Sequence, residues 1–265
     1  MRSKSTYFNI KNFIPSKKMG QNFLIDENIA QKITNLIHTD AHDAIIEIGP
    51  GGGILTQFMV LYNKPLVVIE LDKRLAASLT KKFDKYKNFA LINNDVLKVN
   101  LEQITKTYVS PVLLSNLPYS ISSPMMLHFI KQSKIKVFIC MLQKEMADRI
   151  SAMPGTKSYN ALSALVQWHA SVAKMMDVSP NSFDPPPAVD SCVVEIQRNN
   201  RDFNEGFAKF LKICFTFKRK TLMNNLKQHF SVEKVTNSLN VLSKSVNIRA
   251  EELSPTELFN LYESL

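Results

Sequence analysis

The sequence predicts an α/β fold, a mainly parallel β-sheet with helices on both faces, followed by a small all-α domain over residues 201–265. Three observations carry that expectation. Between residues 44 and 141, β-rich runs alternate with stretches whose apolar residues recur at helical spacing, the pattern of repeated β-α-β units. The β-rich runs are apolar almost throughout and joined by short connections, as in strands buried on both faces. After Gln197 the β signal vanishes and only short amphipathic stretches follow.

Taken in chain order, residues 1–16 form a basic leading segment. Asp26, placed before Ile29, Ile33, Leu36 and Ile37, predicts a capped helix ahead of the first strand. Residues 44–48, 66–70, 89–92, 112–115 and 136–141 are rich in Val, Ile and Leu and read as buried strands. Residues 54–62, 73–83 and 122–131 read as the helices between them. Two further runs, 170–178 and 191–197, read as closing strands, with the stiff Pro185-Pro186-Pro187 segment between them. Residues 203–265 read as several short amphipathic helices. The domain boundary therefore falls near residue 200, giving domains of 1–200 and 201–265. The chain shows no internal repeat and no low-complexity tract.

Composition removes several classes. The 265 residues are 45% hydrophobic and include 16 phenylalanines, enough for a real core and against wholesale disorder. No apolar run approaches the roughly 18 residues needed to cross a bilayer, and the start carries no apolar signal-peptide core. Three cysteines, Cys140, Cys192 and Cys214, are widely spaced without a CxxC pair, which points to a reducing, cytoplasmic compartment and to no zinc site. His38 and His42 lack the acidic surroundings of a zinc-protease helix, so no metal is expected.

The net charge is +10, and its distribution says more than its sum. Residues 1–25 hold Arg2, Lys4, Lys11, Lys17 and Lys18 with no acid, and residues 209–227 hold Lys209, Lys212, Lys218, Arg219, Lys220 and Lys227, again with no acid. Two acid-free blocks suit two walls of a groove for a polyanion. The alternative is a basic tail and one solvated helix face. An organellar transit peptide is disfavoured, because the leading segment contains a single arginine.

Glycine is scarce: the chain has 7, where average usage would give roughly eighteen. Gly49, Gly51, Gly52 and Gly53 crowd one turn, which follows the first strand and opens a helix. A phosphate-binding P-loop would need Gly-Lys-Ser/Thr, which is absent. A dinucleotide fingerprint starting at Gly49 would need glycine where Ile54 stands. What remains is a turn packed against a nucleoside without a pyrophosphate, or a purely structural tight turn. Glu70 ends the second strand, where a carboxylate accepts both hydroxyls of a ribose. Asp95 follows the third strand, placed to hold an adenine amino group. Together they describe an adenosine site, and the constellation resembles the class I S-adenosylmethionine-dependent methyltransferases.

Asn116-Leu117-Pro118-Tyr119 follows the fourth strand at the same sheet edge. An adenine N6 amine is a poor nucleophile because its lone pair is delocalised into the ring. The Asn116 side-chain carbonyl and the Leu117 backbone carbonyl would accept its two hydrogens, while Pro118 stiffens the turn. Tyr119 offers a ring for stacking the base. Phe183, on the loop before the three prolines, offers a second π-face, or else anchors that loop to the core.

Gly20-Gln21-Asn22-Phe23-Leu24, Glu47-Ile48-Gly49-Pro50-Gly51, Asn116-Leu117-Pro118-Tyr119, Met141-Leu142-Gln143-Lys144-Glu145, Phe183-Asp184-Pro185-Pro186-Pro187 and Val189-Asp190-Ser191 occur in that order. In this combination the chain resembles the rRNA adenine N6,N6-dimethyltransferase family, and within it the bacterial small-subunit branch. The resemblance implies a Rossmann-like class I methyltransferase domain with a small helical domain, and S-adenosyl-L-methionine as cofactor. It implies a monomer acting on small-subunit rRNA in an immature 30S-type particle, where two adjacent adenosines near the 3′ end each receive two methyls. Carried over residue by residue, Asn22, Leu24, Gly49, Glu70, Asp95 and Asn116 would bind the cofactor. Asn116, Leu117, Tyr119 and Phe183 would handle the target adenine. Lys17, Lys18, Lys218, Arg219 and Lys220 would contact RNA. Two departures stand out: Met19 where a ring is common, and Lys218-Arg219-Lys220 where Arg-Arg-Lys is frequent, which loses one bidentate phosphate fork.

Three alternatives share parts of this pattern. Large-subunit rRNA adenine methyltransferases of the macrolide-resistance type usually lack the Met-Leu-Gln-Lys-Glu and Phe-x-Pro-Pro-Pro elements. DNA adenine methyltransferases more often carry Asp-Pro-Pro-Tyr at the catalytic turn. A mainly non-catalytic ribosome-assembly or organellar transcription factor on the same fold is disfavoured by the intact Asn-Leu-Pro-Tyr.

Overall fold

In the computed structural model the structure describes residues 21–265, apart from the side chain of Tyr119. The basic leading segment, Lys17, Lys18 and Met19 lie outside the described residues. The described residues divide into two compact units, one formed by 21–144 with Ala173–Gln197, the other by Glu145–Val172 with Arg198–Leu265.

The first unit is built on β2 (Ile45–Ile48), β3 (Leu66–Glu70), β4 (Phe89–Asn93), β5 (Val112–Asn116) and β6 (Val137–Gln143). These five strands are mutually parallel where they pair, and β9 (Ser191–Arg198) joins β6 antiparallel. With β7 (Ala170–Val178), the sheet order is β4-β3-β2-β5-β6-β9-β7. All four residues of β2 are buried, as a central strand covered on both faces requires. The chain leaves β2 toward one edge through β3 and β4, then returns to β5 on the other side of β2. That reversal is the topological switch point where α/β sheets bind ligands.

Helices on the faces follow from their sequences. Asp26 caps α1 (Glu27–Thr34) by accepting the Asn28 and Ile29 amides at 2.9 and 3.1 Å. Asp72 caps α3 (Lys73–Phe83), whose Leu75, Ala76, Leu79 and Phe83 form one buried stripe. The stretch expected as a helix over 54–62 begins later, as α2 (Thr56–Met59), and tightens into a 3-10 turn that stops at Asn63 with φ 53°. The short α4 (Leu101–Ile104) precedes β5, and α5 (Ser122–Ile130) follows it.

Three of the parallel strands run one or two residues past their expected ends. Asn93, Asn116 and Gln143 are polar, so composition alone stops short of them, yet each continues a ladder, opposite Glu70, Met141 and Ser191. Register then sets the site. Ile48 lies opposite Ile69 on one side and Ser115 on the other, so the ends of β2, β3 and β5 stand level.

The second unit contains α7 (Ala161–His169), α8 (Glu205–Cys214), α9 (Leu222–Leu226), α10 (Val232–Val241) and α11 (Pro255–Ser264), with most of α6 (Lys144–Ile150). The sequence reading assigns residues 145–172 to the segment before a boundary at 200, whereas the structure groups them with the C-terminal helices. The reason is aromatic packing. Trp168 of α7 stacks on Phe259 of α11 at 4.3 Å, and Phe207 of α8 meets both rings edge-on at 5.8 and 5.1 Å.

Candidate active site

A cavity of about 280 Å³ opens at the C-terminal ends of β2, β3, β4 and β5, near the lower end of the range for small-molecule sites. Gly49, Glu70, Asp95 and Asn116 line it, each supplied by the end of a different strand. Asn22, Leu24, Leu117 and Phe183 line it as well. Eight of the residues expected at the site are thus brought together. The backbone of the ninth, Tyr119, begins a 3-10 turn immediately beyond Pro118.

The glycine turn is held from three sides. The Gly49 amide donates to the Ile69 carbonyl at 2.9 Å, and the Ser115 hydroxyl donates to the Ile48 carbonyl at 2.7 Å, locking β5 to β2 beside the turn. The Asn116 carbonyl and the Pro118 ring lie 3.9 Å from where a Cβ on Gly49 would stand, so it is the φ of +63° rather than lack of space that favours glycine there. Part of the glycine enrichment serves the protein rather than a ligand. A Cβ on Gly51, at φ +57°, would stand 2.9 Å from the Phe23 ring, and one on Gly53 would meet Leu79 at 2.8 Å.

Glu70 is buried at 5% exposure, and its Oε1 accepts the Asp72 amide at 2.8 Å. Burial raises its pKa, and hydrogen bonds from the Asp72, Gly51 and Leu71 amides offset part of that rise. The Asp95 carboxylate caps the following 3-10 turn, accepting the Leu97 amide at 3.0 Å. Asn93 donates its side-chain amide to the Glu70 carbonyl at 2.7 Å, fixing the two carboxylate-bearing strand ends together. Beneath the turn, Glu47 is fully buried and does not line the cavity. Its Oε2 accepts the Thr56 hydroxyl at 2.6 Å, and burial pushes its pKa up to about 8.

Among the described residues no lysine, arginine or histidine lines the cavity. A lining of carboxylates, amides and apolar walls suits an adenosine, whose ribose hydroxyls and amino group donate hydrogen bonds. S-adenosylmethionine is such a ligand, and the residues present fit it.

A strap absent from the strand pattern closes one wall. Strand β1 (Phe23–Leu24) pairs antiparallel with β8 (Phe183–Asp184), Leu24 standing opposite Phe183. Two-residue strands carry no periodicity, so only the motif context signals them. Phe183 itself is 4% exposed and packs into the core cluster while also bounding the cavity. The ring therefore both anchors its loop to the core and bounds the cavity.

The basic block after α8 is not uniform. Lys218 donates to the Lys157 carbonyl and pairs with Glu251 at 3.5 Å, so its charge is engaged within the second unit. Arg219 and Lys220 are exposed.

The fold and this cavity define a class I S-adenosylmethionine-dependent methyltransferase. The model of the family described as ribosomal RNA adenine dimethylase matches residues 13–265, and the chain belongs to that family. Among its relatives, the ribosomal RNA small subunit methyltransferase A of Ureaplasma urealyticum serovar 10 is 42% identical over 262 residues, covering 94% of this chain and 93% of the relative. A dimethyladenosine transferase from Plasmodium falciparum superposes with a TM-score of 0.75 at 26% identity, covering 90% of this chain and 95% of that one. The 23S rRNA methyltransferase ErmE shares the fold, with a TM-score of 0.72 at 22% identity over 92% of this chain and 99% of that one. Its likeness speaks to fold alone.

Proposed function

We propose that this protein transfers methyl groups from S-adenosylmethionine to the N6 atoms of two adjacent adenosines near the 3′ end of small-subunit rRNA. It does so as a cytoplasmic monomer acting on an immature small-subunit particle. The observation that carries the reading is the convergence of Glu70, Asp95, Asn116 and Leu117 on one cavity at the strand ends, with no basic side chain among the described residues that line it. Identity of 42% to a relative named for small-subunit rRNA, over nearly the whole chain, supports the choice of subunit.

When bound, S-adenosylmethionine supplies a methyl already activated on a sulfonium. The protein's part is to hold and align. Glu70 accepts the ribose hydroxyls, and its three amide donors keep the carboxylate oriented for that task. Asp95 accepts the adenine amino group of the cofactor, Gly49 lets the backbone approach closely, and Asn22 and Leu24 pack over it. The Asn116 side-chain carbonyl and the Leu117 carbonyl accept the two hydrogens of the target amine, which favours a tetrahedral nitrogen with its lone pair free. The Leu117 amide is tied to the Met141 carbonyl at 3.3 Å, so this acceptor belongs to the sheet rather than to a loose loop. Tyr119 and Phe183 stack the target base. With donor and acceptor aligned, no strong general base would be needed. The amine lone pair would form the N–C bond as the S–C bond breaks toward sulfur to leave the thioether, and the methylated nitrogen would then lose a proton to water.

Lys17, Lys18, Lys218, Arg219 and Lys220 contact rRNA, with Arg219 and Lys220 meeting phosphates directly in the C-terminal block and Lys218 bracing their loop through Lys157 and Glu251. Labelled S-adenosylmethionine offered with undermethylated small and large subunits tests the reading. Label is expected in the small subunit. Label confined to the large subunit would instead establish the macrolide-resistance type of activity.

A further inference from the structure

We propose that Phe23 is a positioning residue that ties Phe183 to the glycine turn, so that one strand pair sets both the cofactor wall and the target-base wall of the cavity. The inference rests on the base-stacking role given to Phe183. Phe23 is 6% exposed, and its ring lies against the bare backbone of Gly51, 2.9 and 3.2 Å from where a Cβ would stand. No side chain larger than hydrogen leaves room for that contact. Gly51 in turn directs its amide at Glu70, so the ring rests on the segment that holds the ribose-binding carboxylate. On the other side, the Phe23 backbone pairs with Asp184 and the Leu24 backbone with Phe183, and the Ile25 amide donates to the Ser182 carbonyl at 2.8 Å. The near end of the strap is fixed by Gln21, whose amide donates to Asp72 at the start of α3 at 3.4 Å.

A two-residue strand pair has almost no stability of its own, so its position is dictated by the side chains that seat it. Phe23 on Gly51 is one seat and Leu24 in the core cluster is the other. Loss of the Phe23 ring lets the strap shift over the turn, and the ladder passes that shift to Phe183. Misplacement of a base by an ångström slows an alignment-driven transfer by one to two orders of magnitude.

The test is a double-mutant cycle on the full chain, read as the single-turnover methylation rate of undermethylated small subunits at saturating S-adenosylmethionine. Cofactor affinity is measured separately by calorimetry on the free protein. Phe23→Ala is expected to lower the rate on the order of tenfold. Phe183→Ala is expected to lower it by at least as much, and the double variant to be no slower than Phe183→Ala within about twofold. Phe23→Leu, which keeps apolar bulk, is expected to recover part of the rate and serves in the same cycle should the alanine variant unfold. Rate losses that multiply would overturn the inference while leaving the base-stacking role intact. A wild-type rate for Phe23→Ala at saturating cofactor, with only its cofactor affinity weakened, would also overturn it, since the ring would then only cover the cofactor. A wild-type rate in Phe183→Ala would overturn the base-stacking role and the inference with it.

Discussion

Replacing Glu47 with glutamine probes the electrostatics beneath the glycine turn, and its consequence follows from burial. Glu47 is wholly inside, one carboxyl oxygen accepts the Thr56 hydroxyl at 2.6 Å, and the other finds no side-chain or backbone donor among the described residues. Desolvation is the largest cause of the rise in its pKa from 4.5 to about 8, and the nearby Glu70 pushes in the same direction. A carboxyl whose folded pKa is raised holds its proton in the native state while the unfolded chain releases it. Its contribution therefore favours folding fully below pH 4.5 and is lost as pH rises toward 8, by about 1.4 kcal/mol per pH unit. Glutamine has nearly the same shape, keeps an oxygen for Thr56 and does not titrate. Between roughly pH 5 and roughly pH 7.5, the stability of Glu47→Gln relative to wild type should rise by about 3 kcal/mol. Reversible urea unfolding of both proteins across that range measures it, and groups common to the two cancel in the difference. Parallel pH profiles would refute the reasoning, because they would mean that Glu47 is ionised in the native state or solvated there.

Asn116→Ala should cut methyl transfer by about a hundredfold or more while leaving particle binding near wild type, as measured by rate assays and sedimentation with small subunits; retained turnover would remove Asn116 from the chemistry. Arg219→Ala with Lys220→Ala should flatten the salt dependence of particle binding, by roughly 0.7 to 0.9 in log–log slope for each phosphate no longer neutralised. Lys218→Ala should instead lower the thermal stability of the chain with little change in slope, since Lys218 is bound to Lys157 and Glu251. His169 is buried, and desolvation first, then Arg198 and Arg201, depress its pKa from 6.5 to about 4. Its neutral form keeps full stability above pH 6.5, and as pH falls toward 4 the protein should lose about 3 kcal/mol relative to His169→Gln in urea unfolding.

The parallel strands were legible because strands covered on both faces are apolar along most of their length, as β2, β3, β5 and β6 are apart from Glu47, Ser115 and their polar ends. Strand β4 reads as a buried strand by composition, yet it lies at the sheet edge and is only partly covered. Glu70, Asp95 and Asn116 were legible for the complementary reason: each is a polar group ending an apolar run, and parallel register brings such ends to one edge. Where the sequence misled, the cause was an interaction between residues far apart in the chain. Residues 145–172 belong with the C-terminal helices because Trp168 needs Phe207 and Phe259, a fact that no local pattern contains. Lys218 reads like its neighbours in a basic run, yet a carbonyl and a carboxylate from other loops claim it. The glycine cluster serves both readings the sequence offers: Gly49, Gly51 and Gly52 line the cavity, while Gly51 and Gly53 also leave room for Phe23, Leu79 and Phe83. The strap is the clearest case: two paired residues are too few to leave a period.

Mapping the modified nucleotides tests the proposed chemistry most directly. Undermethylated small subunits would be incubated with this protein and labelled S-adenosylmethionine through a single turnover and then to completion, and their rRNA analysed base by base. N6-methylated adenine should appear at two adjacent adenosines near the 3′ end, each passing to the dimethyl form at completion. Label on any other base, at a lone adenosine elsewhere, or only in large-subunit rRNA would contradict it.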